Sequence, residues 1–118
     1  MAQLLSTEAG LTLRLSRWEK AGALHGDLQV PWSQVASVSH VEDLWRELRG
    51  MRAPGTGIPE VIMLGTTRGR GWKDFCAVYR HRPGSVVVLR EGPFARWLVT
   101  GPPVTLPYGS GSAPRTAS

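Results

Sequence analysis

Apolar and polar residues alternate along much of this chain, which is the pattern that half-buried β-strands produce. Leu11, Leu13 and Leu15 are separated by polar residues, while 61–64 is apolar throughout and is expected to be shielded on both faces. Together with the turn signals between them, these patterns predict seven strands, over 11–15, 27–30, 35–41, 60–67, 72–80, 85–89 and 94–100.

Two stretches follow a helical period instead. Ser16 and Glu19 have the spacing of a capping box, in which each side chain binds the other residue's backbone N–H. A helix is therefore predicted over 17–25, with Gly26 as the glycine that ends it. A shorter helical turn is predicted over 42–48, where apolar residues share one face.

The segment 48–59 is predicted to be a loop, because three glycines and two prolines fall within ten of its positions. Proline fixes its own φ and glycine permits a positive φ, so Pro54 and Gly55 are expected at the centre of a tight turn. At least one of Gly55 and Gly57 is expected to have a positive φ.

This loop is expected to be ordered rather than a passive connection. Met51 or Ile58 would anchor it in the interior. Arg49 or Arg52 would bind loop carbonyls or a carboxylate. Loops of about a dozen residues inside compact domains are usually functional or disordered, and prolines on both sides disfavour disorder.

The spacing of the later strands predicts an antiparallel meander that closes into a small barrel or sandwich. The whole of 1–106 is expected to form one domain, in which 1–8 are a loose lead-in. Glycine, proline, serine, threonine and alanine dominate after Gly101, so 107–118 are expected to be a disordered tail.

Several short motifs together resemble small, uncharacterised actinobacterial proteins related to bacterial pleckstrin-homology-like (PH-like) domains. The motifs are Glu19-Lys20, Val30-Pro31, Gly50-x-Arg52-Ala53-Pro54-Gly55-Thr56-Gly57-Ile58-Pro59, Gly65-Thr66, Asp74-Phe75 and Arg82-Pro83. The resemblance covers 11–100 and implies a barrel of about seven strands. PH-like folds usually end in a helix that closes the barrel, but no helical pattern follows Thr100.

Composition narrows the class of protein. The 118 residues include fourteen basic and nine acidic side chains, for a net charge of +5, and a single cysteine, which excludes an internal disulfide. The N-terminus lacks a secretory pattern, and no apolar run approaches the roughly twenty residues needed to span a bilayer. We therefore expect a soluble, cytoplasmic protein.

The candidate binding residues are basic side chains and one tryptophan around the loop and the next turn. They are Arg49, Arg52, Arg68, Arg70, Trp72 and Lys73. Arginines at a hairpin tip can contact phosphate groups or a membrane surface. The alternative is a solvated turn whose charges prevent strand edges from aggregating.

Candidates for catalysis or metal binding are few. Asp74 would be a general base if it faced inward, and the alternative is pairing with a nearby arginine. Cys76 is expected in the core. His25, His40 and His81 lack the spacing of metal ligands, so neither a metal nor a cofactor is expected.

The sequence favours a non-enzymatic PH-like module that binds a protein or peptide partner, with a homodimer left open. One alternative is binding of an anionic lipid surface through the basic loops. Another is a small-ligand barrel or a cofactor-free enzyme of secondary metabolism. Nucleic acid is not expected as a partner.

Overall fold

The computed structural model describes residues 2–104, apart from the side chains of residues 51–55. Within that part the chain forms one α-helix, α1 (Arg17–Ala23), and two 3₁₀ turns, Trp32–Gln34 and Leu44–Glu47. The same residues form nine strands: β1 (Gln3–Ser6), β2 (Gly10–Arg14), β3 (Leu28–Pro31), β4 (Val35–Val41), β5 (Met51–Ile58), β6 (Ile62–Gly69), β7 (Trp72–Tyr79), β8 (Gly84–Leu89) and β9 (Arg96–Thr100).

The strands form two sheets, which confirms the mainly β prediction. The smaller sheet has the order β1-β2-β3, and the larger has the order β4-β8-β9-β7-β6-β5. The described residues thus provide nine strands rather than seven, and they form two sheets rather than a closed barrel.

The predicted meander is wrong at one point, because β9 lies between β7 and β8. It pairs antiparallel with β8 and parallel with β7, where Phe75 lies opposite Trp97 and Cys76 lies opposite Leu98. Phe75 and Trp97 therefore lie side by side on one face of the sheet, and Cys76 and Leu98 lie side by side on the other. Strand β9 occupies the position beside β7 that β8 would have in a meander.

The large sheet is buried on both faces. One face packs against the small sheet and α1, where Leu11, Leu13, Phe75 and Trp97 are at most 1% exposed. Val87 of β8, which lies opposite Trp97 in β9, is fully buried as well. The opposite face carries a second cluster of buried residues, namely Leu44, Cys76, Val78, Val86 and Leu98, which the 3₁₀ turn Leu44–Glu47 helps to cover.

Helix α1 begins with the predicted capping box. Ser16 Oγ accepts from the Glu19 N–H, and a Glu19 carboxylate oxygen accepts from the Ser16 N–H at 2.8 Å. The predicted end of the helix is wrong, because the left-handed residue is Leu24, with φ of 55°, rather than Gly26. The Leu24 N–H bonds the Lys20 carbonyl and ends the helix two residues earlier than expected.

The lead-in predicted over 1–8 is also wrong in part, since Gln3–Ser6 form the edge strand β1. Leu4 packs against the core and lies opposite Leu13 in β2. Four residues without a clear alternation of apolar and polar positions do not predict a strand. Pairing with β2 holds this segment in an extended conformation.

The largest correction concerns 48–59, most of which is strand β5 rather than a loop. The strand pairs with β6, and its register shifts between Arg52 and Gly55. An edge strand tolerates Pro54, because its outer side needs no backbone donor, and the shift absorbs the irregular geometry. Glycine and proline, which usually indicate a loop, here belong to a sheet edge.

The details of the predicted loop change accordingly. Ile58 is 51% exposed rather than tucked into the interior, and Gly57 lies in the strand. A positive φ occurs at Gly50, at 79°. The side chains of Met51 and Arg52 and the predicted tail over 107–118 lie outside the described part of the chain.

Candidate functional site

Hairpin β6–β7 brings four of the predicted binding residues together at one end of the large sheet. Arg68 lies opposite Lys73, and Trp72 begins the return strand. Arg70 and Gly71 form the turn, where Gly71 has a φ of 80° that glycine adopts without steric cost. Both arginines are exposed, whereas the tryptophan and the lysine are half-buried.

An open groove of about 350 Å³ runs beside this hairpin. Its lining comprises Arg68, Gly69, Gly71, Trp72, Lys73 and Pro93. Pro93 belongs to the turn between β8 and β9, so the second wall comes from a different part of the chain. A recess of about 230 Å³ shares part of this lining and extends the groove towards Arg90 and Glu91.

The second wall is held in place by backbone and aromatic contacts. The Ala95 N–H donates to the Lys73 carbonyl at 2.7 Å, and the Leu89 N–H donates to the Ala95 carbonyl at 2.9 Å. The buried Phe94 ring packs edge-on against Phe75 at 5.6 Å. The Lys73 Nζ lies 5.1 Å from the Phe94 ring centroid, which places the ammonium group beside the groove.

Trp72 is fixed by two glycines and an arginine. A Cβ on Gly69 would lie 2.1 Å from the indole, and a Cβ on Gly50 would lie 2.6 Å from it, so only glycine leaves room for the ring. The Arg49 guanidinium carbon lies 4.0 Å from the centroid of the indole ring, in a cation–π contact. The tryptophan is therefore a preorganised part of the groove wall.

The same Arg49 binds a buried carboxylate. Asp74 is 1% exposed in its side chain and accepts from Arg49 Nε at 2.8 Å and Nη2 at 3.0 Å. Arg96 donates from Nε and Nη2 to Asp74 Oδ2, at 3.1 and 2.8 Å, and its Nη2 also donates to the Glu47 carbonyl at 2.8 Å. The bond from Arg96 joins the 3₁₀ turn to β9, and Arg49 joins the segment after that turn to β7.

These contacts settle two of the alternatives drawn from the sequence. The expectation that Arg49 or Arg52 binds a carboxylate is confirmed for Arg49. Pairing of Asp74 with arginine is confirmed, and both of its oxygens accept hydrogen bonds from guanidinium groups rather than facing a substrate. Arg52 lies opposite Thr67 in the register of β5 and β6.

Cys76 is a core residue, as expected. Its thiol is fully buried and lies 3.6 Å from Thr67 Oγ1. Burial raises the pKa of the Cys76 thiol to about 12, so the thiolate form is suppressed at neutral pH. Among the side chains described in residues 2–104, no group of three or more histidine, cysteine, aspartate or glutamate residues is arranged so that it could hold a metal ion.

Sequence reasoning missed the wall that the β8–β9 turn contributes. Its turn signal, Glu91-Gly92-Pro93, is visible in the sequence. Its position beside hairpin β6–β7 depends on the parallel pairing of β7 with β9, which no local pattern indicates.

Comparison of the chain with protein-family models, with curated proteins and with solved structures finds no match. None of the helices formed by the described residues is long and apolar enough to cross a membrane.

Proposed function

We propose that this chain is a non-enzymatic, PH-like binding module and that the groove beside hairpin β6–β7 receives an acidic segment of a protein or peptide partner. The observation that carries this proposal is the meeting of two cationic side chains with a fixed indole. Arg68 and Lys73 line a groove whose wall is Trp72, and the exposed Arg70 lies in the turn of the same hairpin.

The chemistry of the groove suits carboxylates on a peptide. Guanidinium groups bind carboxylates through paired hydrogen bonds, and a fixed aromatic wall supplies apolar contact at low entropic cost. Pro93 adds a second apolar side chain to the lining of the groove. The groove is open and extends into the adjoining recess, which suits a chain segment better than a small enclosed ligand.

A binding role also agrees with the state of the reactive groups near the site. Asp74 is engaged by two arginines, and Cys76 is buried away from the groove. The carboxylate that lines the adjoining recess, Glu91, is exposed and belongs to the turn between β8 and β9. These features supply recognition rather than an activated nucleophile or base.

The test is a titration of the full chain into a fluorescein-labelled octaglutamate peptide, followed by anisotropy at about 50 mM and about 300 mM salt. The site variant carries Arg68→Gln, Arg70→Gln and Lys73→Gln. The matched control carries Arg17→Gln, Arg80→Gln and Arg82→Gln, which lie around the opposite end of β7 near Tyr79. Both variants lose three positive charges, so a general charge effect would weaken both equally.

The site variant is expected to bind about tenfold more weakly than the wild type, while the control stays within about twofold. Equal losses in both variants, or no binding by the wild type at low salt, would reject the proposal. Vesicles of phosphatidylcholine with phosphatidylserine provide the second arm. Binding to these vesicles without binding to the peptide would favour the lipid alternative instead.

A further inference from the structure

A second groove, here called the apolar groove, lies where β1 meets the end of β9. Because β9 runs parallel to β7, this is the end of the large sheet far from the groove beside hairpin β6–β7. The apolar groove has a volume of about 280 Å³, and its lining includes Leu4, Leu5, Val99, Pro102 and Pro103. The described lining contains no charged side chain. The volume lies just below the roughly 300–1,000 Å³ of typical small-molecule sites, so the groove suits the apolar part of a small ligand.

One buried side chain in the apolar groove has a polar group without a partner. Ser85 of β8 is only 3% exposed, and its hydroxyl forms no hydrogen bond within the described part of the chain. The hydroxyl is not sealed, because every described side-chain nitrogen or oxygen that is cut off from solvent has a hydrogen-bond partner. It therefore opens into the groove that Ser85 lines. An unpaired hydroxyl in apolar surroundings costs free energy, so this position favours a ligand that carries a polar group.

An adjoining groove, here called the cationic groove, supplies a positive charge. It has a volume of about 370 Å³, and its lining includes His40 and Arg82. The two grooves share the end of β9 and the residues that follow it, and His40 lies opposite Ser85 in the register of β4 and β8. The Gly101 N–H donates to the Pro83 carbonyl at 3.1 Å, which holds the shared wall against the turn that carries Arg82. The grooves therefore meet close to Ser85.

The guanidinium group of Arg82 is available to an incoming anion. Arg82 is exposed, and no ion pair joins it to an acidic side chain of the described residues. The acidic residue beside this turn, Asp43, is already engaged by His81 at 2.8 Å and by Arg46 at 3.3 Å. Guanidinium groups bind carboxylates through paired, charge-assisted hydrogen bonds, so the cationic groove favours a carboxylate.

We infer that the apolar and cationic grooves together form a binding site for a small amphipathic carboxylic acid. The carboxylate pairs with Arg82 and accepts a hydrogen bond from the Ser85 hydroxyl, and the hydrocarbon chain lies in the apolar groove. Each part of such a ligand meets a surface of matching polarity, and the unpaired hydroxyl gains an acceptor. The site lies at the other end of the large sheet from the groove beside hairpin β6–β7 and does not depend on the proposed function.

The experiment titrates octanoate and octanamide separately into the ¹⁵N-labelled full chain and takes each Kd from the backbone amide shifts. The two probes have the same hydrocarbon chain and differ in the charge of the head group. The site variants are Arg82→Gln and Ser85→Ala. Arg68→Gln is the charge-matched control at the other end of the sheet, and Ser39→Ala removes an exposed hydroxyl from β4.

Octanoate is expected to bind the wild type about tenfold more tightly than octanamide, and Arg82→Gln should abolish that preference by weakening octanoate alone. Ser85→Ala should weaken octanoate about fivefold, while both controls stay within about twofold of the wild type. The shifts should concentrate in 2–5 and 98–103, with little change in 68–73.

Several results would overturn the inference. They are no binding by the wild type at about 5 mM octanoate, equal binding of the two probes, and loss of octanoate binding in Arg68→Gln with shifts in 68–73. Nuclear Overhauser contacts in the free protein between the Leu5 or Val99 side chain and residues 105–118 would show that the chain's own segment fills the apolar groove. A dimer that octanoate dissociates in ultracentrifugation would show that a second copy covers it, which also contradicts the inference.

Discussion

Two buried carboxylates lie on opposite faces of the large sheet, and they are stabilised in different ways. Asp74 and Tyr79 belong to the same strand five residues apart, so their side chains point to opposite faces. Asp74 accepts hydrogen bonds from two guanidinium groups. On the other face, Glu19 accepts from the neutral Tyr79 hydroxyl and from the Ser16 N–H.

The difference shows what each carboxylate does for the fold. Asp74 fixes an irregular segment against the sheet and holds Arg49 over Trp72, so its ion pairs position the wall of the basic groove. Glu19 fixes the first turn of α1 and joins that helix to β7. Loss of the first carboxylate leaves uncompensated charge, whereas loss of the second leaves unsatisfied neutral donors.

The largest effect is expected when Asp74 is removed. Asp74→Ala should lower the free energy of unfolding by about 3–5 kcal/mol, because the partly buried Arg96 and the neighbouring Arg49 lose their counter-charge. Urea denaturation of the variant and the wild type measures this change. The exposed Glu91 provides the control, since Glu91→Ala should change stability by less than about 0.5 kcal/mol. A loss below about 1 kcal/mol for Asp74→Ala would show that the cluster does not stabilise the fold.

A smaller loss of stability is expected at Glu19, whose hydrogen-bond donors are neutral. Glu19→Ala should cost about 2–3 kcal/mol, because the capping box is lost and the Tyr79 hydroxyl loses its acceptor. Glu19→Gln keeps an acceptor oxygen and should cost about 1 kcal/mol. The corresponding amide change at Asp74 should cost more, since two guanidinium groups remain. Equal costs for the two amide variants would contradict the distinction between the faces.

Lowering the pH should reveal the contribution that the Glu19 carboxylate makes to stability. Burial by itself would raise the pKa of the Glu19 carboxyl, but the Ser16 N–H and the Tyr79 hydroxyl together hold that pKa below its ordinary value of 4.5. Its stabilising contribution is therefore complete above about pH 4.5 and is lost as the pH falls through the folded-state pKa. Thermal melts between about pH 2.5 and pH 6 should show a shallower acid decline for Glu19→Gln than for the wild type. Parallel declines would show that this carboxyl does not titrate with unfolding.

The smallest effect is expected at the surface, where His81 bridges two acidic side chains. Its Nδ1 lies 2.8 Å from Asp43 Oδ2, and its Nε2 lies 3.2 Å from Glu60 Oε1, while Arg46 also pairs with Asp43. The hydrogen bond with Asp43, supported by that with Glu60, raises the pKa of His81 above 6.5. The contribution of protonated His81 to stability is thus complete below about pH 6.5 and is lost as the pH rises through the raised pKa.

Melting temperatures between about pH 6 and pH 9 should therefore fall slightly for the wild type and stay flatter for His81→Gln. The exposed His40 provides the matched control substitution, His40→Gln. A wild-type profile that rises with pH over this range would contradict the assignment.

Local signals predicted much of the fold. The capping box of Ser16 and Glu19 and the bounds of β4 depend on neighbouring residues, and both are confirmed. Strand β5 was missed because Pro54 and its glycines disfavour a strand everywhere except at an edge, and edge position is a property of the whole sheet. The parallel pairing of β9 with β7 is also a property of the whole sheet, so no local pattern predicts it.

The candidate site likewise has parts that local sequence patterns predict and parts that depend on long-range contacts. The hairpin that carries Arg68, Arg70 and Lys73 follows from a two-residue turn and was predictable. The pairing of Arg49 with Asp74 joins residues 25 positions apart, and only its general form, an arginine binding a carboxylate, was expected. The Pro93 wall depends on long-range strand order and had no local signal.

Binding of an acidic peptide at the end of the sheet that Asp74 organises can be located by NMR chemical-shift mapping. Octaglutamate peptide is added to the ¹⁵N-labelled full chain, and backbone amides and tryptophan indole N–H signals are followed. We expect the shifts to concentrate at the Trp72 indole, in 68–73 and in 90–95, with little change in 78–84 at the other end of β7. Shifts centred on 78–84 or on β1, or none at all at low salt, would contradict it.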